Sequence, residues 1–124
     1  MLGAGSGIGR QTAHALAQVG ARVVCVDKES ALADSVAAEV EGVPVCGDVT
    51  RRSEVERIFT VARECAGPVR GVVDIVGMPL RGPLLDMDDA RWQQQLDVVL
   101  NHAILAVQIG GRAIIEAGGG CMVY

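Results

Sequence analysis

The sequence predicts an α/β fold, a doubly wound parallel sheet with helices on both faces. Three observations carry this prediction. Short apolar runs alternate with segments of helical period along the whole chain. The apolar runs are continuous, as in parallel strands covered on both faces. The connections are short, and acids or glycines follow the strand runs, as in strand–helix units whose strand ends line a crevice.

Composition sets the bounds. The 124 residues suit one domain over 1–124, and 50% are hydrophobic, enough for a buried core. Sixteen glycines are nearly twice the average share of roughly 7%. Phe59, Trp92 and Tyr124 are the only aromatics, so the core must be aliphatic. The net charge of −4, without a basic run, argues against a nucleic-acid partner. No apolar run approaches the ~18 residues of a membrane span, and the N-terminus lacks the features of a signal peptide. Cys25, Cys46, Cys65 and Cys121 form no C-x-x-C pair, and no His lies at ligand spacing. They read as reduced, small hydrophobes of a cytoplasmic protein, without a metal site.

The elements follow in order. From Gly7 to Val19, Ile8, Thr12, Ala15, Leu16 and Val19 recur at helical spacing; Arg10, Gln11, His14 and Gln18 take the opposite, solvated face. Gly20 stops this helix. Val23 to Val26 is a strand that ends at Asp27. Ser30 caps a helix carrying Leu32, Val36 and Val40. Gly42 breaks it, and Val43 to Cys46 is an edge strand because it contains Pro44. Thr50 caps a helix with Val55, Ile58, Phe59, Ala62 and Cys65 on one face, ended by Gly67-Pro68. Val72 to Val76 is a strand closed by Gly77. After a loop with Pro79, Gly82 and Pro83, Asp88 caps a long helix whose apolar face reads Trp92, Leu96, Val99, Leu100, Ala103, Val107 and Ile114. Gly110-Gly111 inside it costs roughly 2 kcal/mol relative to two alanines, which points to close approach by another helix. Gly118 to Gly120 turns the chain into a last strand, Cys121 to Tyr124.

The chemistry starts at the glycine loop. Gly3, Gly7 and Gly9, with Ser6 and Ile8 between them, turn the backbone sharply and open a helix whose N–H groups face an anion. The pyrophosphate of a dinucleotide is the usual guest. Asp27 follows Gly9 by 18 positions, near the ~20-residue interval at which an acid accepts from the adenosine ribose hydroxyls. A carboxylate there favours NAD over NADP, whose 2′-phosphate it repels; no Arg or Lys stands at Ser6, and adjacent Lys28 softens the preference. Asp48, just past the next strand, is placed to accept from the adenine amino group, with Val49 packing on the ring. Gly77 lets the nicotinamide ribose approach the main chain. His14 is solvated, and His102 has no visible acid or nucleophile partner.

Gly3-Ala-Gly-Ser-Gly-Ile-Gly9, the strand-ending Asp27, Gly47-Asp48-Val49-Thr50, Val72-Val-Asp-Ile-Val-Gly77 and Asp88-Asp-Ala-Arg-Trp92 together resemble the short-chain dehydrogenase/reductase family, in order and over the whole chain. The resemblance implies a Rossmann-type sheet whose first strand is central, between the second and fourth. It implies hydride transfer between NAD(P) and a carbonyl or alcohol of a small molecule. It implies a homo-oligomer built on the long helix. Leu2 stands where the family has Thr, and Asp74-Ile75-Val76-Gly77 stands for Asn-Asn-Ala-Gly, which brings Asp74 into the expected cofactor site. Val99 replaces an Asn that helps to hold a proton-relay water; Asn101 lies two places on.

The family's catalytic Ser and Tyr-x-x-x-Lys lie beyond the fifth strand, so Tyr124 is not the catalytic Tyr and no catalytic residue is assigned. Only Met1 and Leu2 remain of a first strand, and the chain stops in the fifth. The expected sheet is therefore incomplete, with two apolar strands facing a bare central slot, and the fragment is expected to be inactive. Two other readings compete. An S-adenosylmethionine-dependent methyltransferase shares the loop and strand-end acids but not the Gly-x-Gly ending flush with a helix. A non-catalytic or truncated nucleotide-binding product shares everything but the chemistry.

Overall fold

The computed structural model describes residues 1–124. The elements are α1 (Gly7–Gln18), β1 (Val24–Asp27), α2 (Ser30–Glu39), β2 (Val43–Cys46), α3 (Arg52–Ala66), β3 (Gly71–Val73), α4 (Asp89–Leu96), α5 (His102–Glu116) and β4 (Cys121–Val123). A short 3-10 turn spans Leu84–Asp86, and a wide π-turn over Asp97–Asn101 joins α4 to α5.

β1 pairs in parallel with β2, from Val24 opposite Val43 to Asp27 opposite Cys46. β3 pairs in parallel with β4, from Gly71 opposite Cys121 to Val73 opposite Val123. Leu2 joins the two pairs, because it bridges Val26 on one side and Asp74 on the other, both in parallel. The spatial order is therefore β2, β1, Leu2, β3, β4. Pro44 lies on β2, which has one neighbour, as a residue without an N–H requires.

The central slot is not bare. Leu2 donates to Val73 O (2.8 Å), Ala4 to Val26 O (2.9 Å), and Val26 to Met1 O (3.0 Å). The Met1 amine donates to Val24 O at 2.9 Å. Past Met1 the slot opens into an apolar cavity of about 380 Å³ lined by Val24, Phe59, Ala62, Val69 and Val72 among others.

Strand alternation sends neighbouring residues to opposite faces. Val26 joins Val55, Ile58, Phe59, Ala106 and Ile114 under α3 and α5. Cys25 and Val23 join Ala13, Val36 and Ala37 under α1 and α2. That division is what doubly wound means in this chain, and it is the fold the sequence predicts.

The helix faces differ from expectation at two places. On α1 the buried residues are Gly9 and Ala13, while Ile8 is 74% and Val19 81% exposed. Small side chains let the helix axis come closer to the sheet than Ile8 and Val19 would. On the long helix the buried stripe is His102, Ala106, Gly110, Ala113 and Ile114. Trp92, Val99, Leu100 and Val107 are instead about half exposed. Again the small residues take the contact. A Cβ on Gly110 would stand 2.7 Å from Phe59 Cζ, so the expected close approach of a neighbouring helix holds for Gly110. Gly111 meets only Met122 Sδ, at 4.0 Å.

Smaller departures have local reasons. Glu29 and Arg51, not Ser30 and Thr50, occupy the N-cap positions of α2 and α3. The Thr50 hydroxyl is already donated to Asp48 Oδ1 (2.7 Å). Asp88 does cap α4, accepting from Arg91 N at 2.8 Å. All four cysteines are free, but only Cys25 is buried, whereas Cys46, Cys65 and Cys121 are exposed. Asp89–Glu116 runs as one 28-residue helix that is long and apolar enough to cross a membrane by length and composition, contrary to the expectation that no segment qualifies. Its apolar residues divide between the buried stripe and the exposed face.

Candidate dinucleotide site

Parallel strands put all their carboxyl ends on one edge of the sheet. The Gly3–Gly9 loop leaves from Leu2, Asp27 ends β1, Asp48 follows β2, and Asp74 to Gly77 follow β3. The expected site residues thus share one edge, on both sides of the central position, where ligands of open α/β sheets bind.

The loop is built by close contacts. Gly3 and Gly7 have φ of 74° and 51°, in the left-handed region. A Cβ on Gly9 would drive into the carbonyl oxygen of Gly3, so the first turn of α1 rests directly on loop backbone. Nothing lies within 4 Å of a Cβ built on Gly7, which faces open space. The N–H groups of Ser6, Gly7, Ile8 and Gly9 have no acceptor within the chain, as the first turn of a helix dictates. No acid stands in that turn to fill the role of an anion.

Sequence reasoning missed Gly5. Its N–H donates to Asp27 Oδ2 at 2.9 Å, and a Cβ there would stand 2.5 Å from that oxygen. Asp27 Oδ1 accepts from Glu29 N at 3.1 Å. One carboxylate therefore ties the glycine loop to the turn after β1. The signal was present as the Gly-x-Gly-x-Gly alternation, but only the fold puts Asp27 beside it.

Asp48 Oδ1 accepts from Thr50 N (3.0 Å) and Thr50 Oγ1, in an Asx turn that leaves Oδ2 free. Val49 is 6% exposed and belongs to the core, so it has little side-chain surface to pack on a ring. Gly77 is exposed, with nothing within 4 Å of a Cβ position. Asp74 is different. It is 3% exposed, and its Oδ1 accepts from Val76 N at 3.0 Å. That oxygen is engaged inside the protein, and the buried carboxylate is not open at the surface to a ligand, contrary to the expected cofactor role of Asp74.

The histidines both have partners that the linear sequence hides. His14 Nε2 lies 2.8 Å from Glu39 Oε2, and Arg10 also pairs with Glu39, at 2.9 Å. That network holds Glu39 below its ordinary carboxylate range, the His14 hydrogen bond being the main cause. His102, 3% exposed, places Nε2 at 3.3 Å from Asp74 Oδ2. Partial burial, with the nearby Asp74, raises the Tyr124 phenol above its ordinary 10.0.

Comparisons with known proteins match this arrangement. The family model for short chain dehydrogenase matches residues 1–124. L-xylulose reductase from Homo sapiens is 37% identical over 117 residues, which cover 94% of this chain and 46% of that protein. Carbonyl reductase [NADPH] 2 from Sus scrofa is 36% identical over 117 residues, again 94% of this chain and 46% of that protein. The crystal structure of a short-chain type dehydrogenase/reductase from Mycobacterium marinum superposes with a TM-score of 0.94 at 27% identity, covering 98% of this chain and 50% of that one. The chain thus spans about half the length of the relatives it matches. Matched by the family model over its whole length, the chain belongs to the short-chain dehydrogenase family.

Proposed function

We propose that this chain forms the NAD-binding part of an oxidoreductase that moves a hydride between nicotinamide and the carbonyl or alcohol of a small molecule. One observation carries the reading. Four main-chain N–H groups without acceptors, Ser6 to Gly9, start a helix at the carboxyl edge of the sheet, with the Asp27 carboxylate one strand away. The residues fit the cofactor. Ser6 to Gly9 would hold the pyrophosphate, Asp27 the adenosine ribose, the free Asp48 Oδ2 the adenine amino group, and the Gly77 main chain the nicotinamide ribose. Nicotinamide supplies the hydride donor or acceptor when bound. This chain's residues bind and orient it; no proton donor is assigned among them.

The carboxylate of Asp27 favours NAD over NADP, since a 2′-phosphate would meet its charge. The Sus scrofa relative, whose name specifies NADPH, makes this a point to measure. Asp27→Asn keeps an acceptor for Gly5 and removes the charge. We expect it to weaken NAD by about 1–3 kcal/mol, the scale of hydrogen bonds to a charged group. NADP should gain relative to NAD. Titration of both dinucleotides checks this, and unchanged NAD affinity removes Asp27 from the site.

The half-exposed apolar face of the long helix supports a homo-oligomer. Ile104 and Val107 line a groove of about 290 Å³ beside Tyr124. Exposed apolar surface of this kind suits burial against a second copy. Val107→Lys should then shift the mass measured by light scattering toward the monomer. An unchanged mass places any interface elsewhere.

A further inference from the structure

The buried pair Asp74–His102 has no part in the reading above. Both residues are 3% exposed. His102 Nε2 lies 3.3 Å from Asp74 Oδ2, at ion-pair distance but without a hydrogen bond, so Asp74 Oδ2 and His102 Nδ1 are both buried polar atoms with no hydrogen-bond partner. A buried imidazole–carboxylate contact is a weak source of stability, because desolvation offsets the attraction. Its clearer consequence is geometric. Asp74 uses its other oxygen, Oδ1, to hold the N–H of Val76, which shapes the backbone that leads from β3 to Gly77. His102 follows the π-helical stretch Asp97–Asn101 within the continuous helix Asp89–Glu116, and so meets Asp74 from the helix side. The turn leading to Gly77 thus meets the long helix through two buried side chains in contact.

We propose that His102 is a positioning residue for the nicotinamide half of the dinucleotide site, acting through Asp74 on the Ile75–Gly77 turn. This rests on the dinucleotide reading and refines it to one end of the ligand. Asp27 and Asp48, which would hold the adenosine end, follow β1 and β2, across the central Leu2 from Asp74. His102 therefore affects the part of the affinity that nicotinamide and its ribose add, and leaves the rest unchanged.

The test compares NADH with ADP, which lacks both nicotinamide and its ribose, on the protein and its variants. Wild type should bind NADH more tightly than ADP. His102→Ala should weaken NADH about tenfold, within the range of coupled neighbouring residues, and change ADP less than about twofold on the same scale. His102→Gln keeps a side-chain donor and should recover most of the NADH affinity; it also serves where alanine prevents folding. Equal weakening of both ligands, or no change in either, overturns the proposal, as does His102→Gln behaving like alanine. Failure of wild type to bind NADH overturns the dinucleotide reading itself, and is distinguishable because it precedes any variant.

Discussion

Gly9→Val is expected to abolish stabilisation by NAD and to lower the melting temperature of the chain itself. The new Cβ would meet the carbonyl oxygen of Gly3, which is main chain and has no rotamer by which to escape. Gly3 follows Leu2, whose hydrogen bonds reach Val73 on one side and whose carbonyl accepts from Ile75. The loop therefore cannot retreat without loosening the centre of the sheet. Overpacking of this kind costs about 1–3 kcal/mol or more. The helix start must also move, and with it the N–H groups that would hold pyrophosphate. At about a hundredfold excess over Kd, NAD should stabilise wild type by about 2.7 kcal/mol and the variant by nothing. Thermal unfolding with and without NAD measures both effects. Gly7→Ala is the control: nothing lies within 4 Å of that Cβ, so only the strain of φ 51° opposes it, a cost of about 1–2 kcal/mol. A Gly9→Val protein that melts like wild type and still responds to NAD would mean that the loop does not hold the phosphates.

Ile58→Ala is expected to destabilise the chain by about 2–5 kcal/mol, the range for emptying a packed aliphatic site. Net stability of a domain is only about 5–15 kcal/mol, so the loss is a large share. Ile58 is 2% exposed, on the buried face of α3. Its Cδ1 also lies 2.9 Å from a Cβ position on Gly47, next to Asp48. The substitution should therefore loosen the turn that presents Asp48 as well as the core. Urea unfolding with an unchanged slope isolates the stability term. A loss below about 0.5 kcal/mol, the level of an ordinary surface change, would show that α3 does not seat on the sheet through this residue.

Much of the site was legible because its signals are local. Gly3 to Gly9 declares a sharp turn and a helix start through backbone conformations that few other residues allow. Asp27 and Asp48 mark strand ends, where the apolar runs stop; β3 instead ends at Val73, short of the expected Val76, because Asp74 turns its carboxylate to Val76 N and Gly77 lies beyond that turn. Parallel pairing alone then gathers them on one edge. The apolar faces of α1 and the long helix were legible only in part. Periodicity marks which residues share a face, but the helices turn their smallest residues to the sheet and each other, leaving Ile8 and Trp92 outward. His102, Ala106, Gly110 and Ala113 do recur at helical spacing, so the buried stripe was written in the sequence; a stripe of larger residues beside it concealed it.

The sequence by itself determined the family, the doubly wound fold and the glycine loop that starts α1, because these depend on residues close together in the chain. Only the tertiary structure decided the partners. Gly5 with Asp27, His14 with Glu39 and His102 with Asp74 lie 22, 25 and 28 positions apart along the chain. Each pair meets because strands and helices pack side by side, and the energy that brings them together comes from the apolar core around them rather than from the pairs themselves.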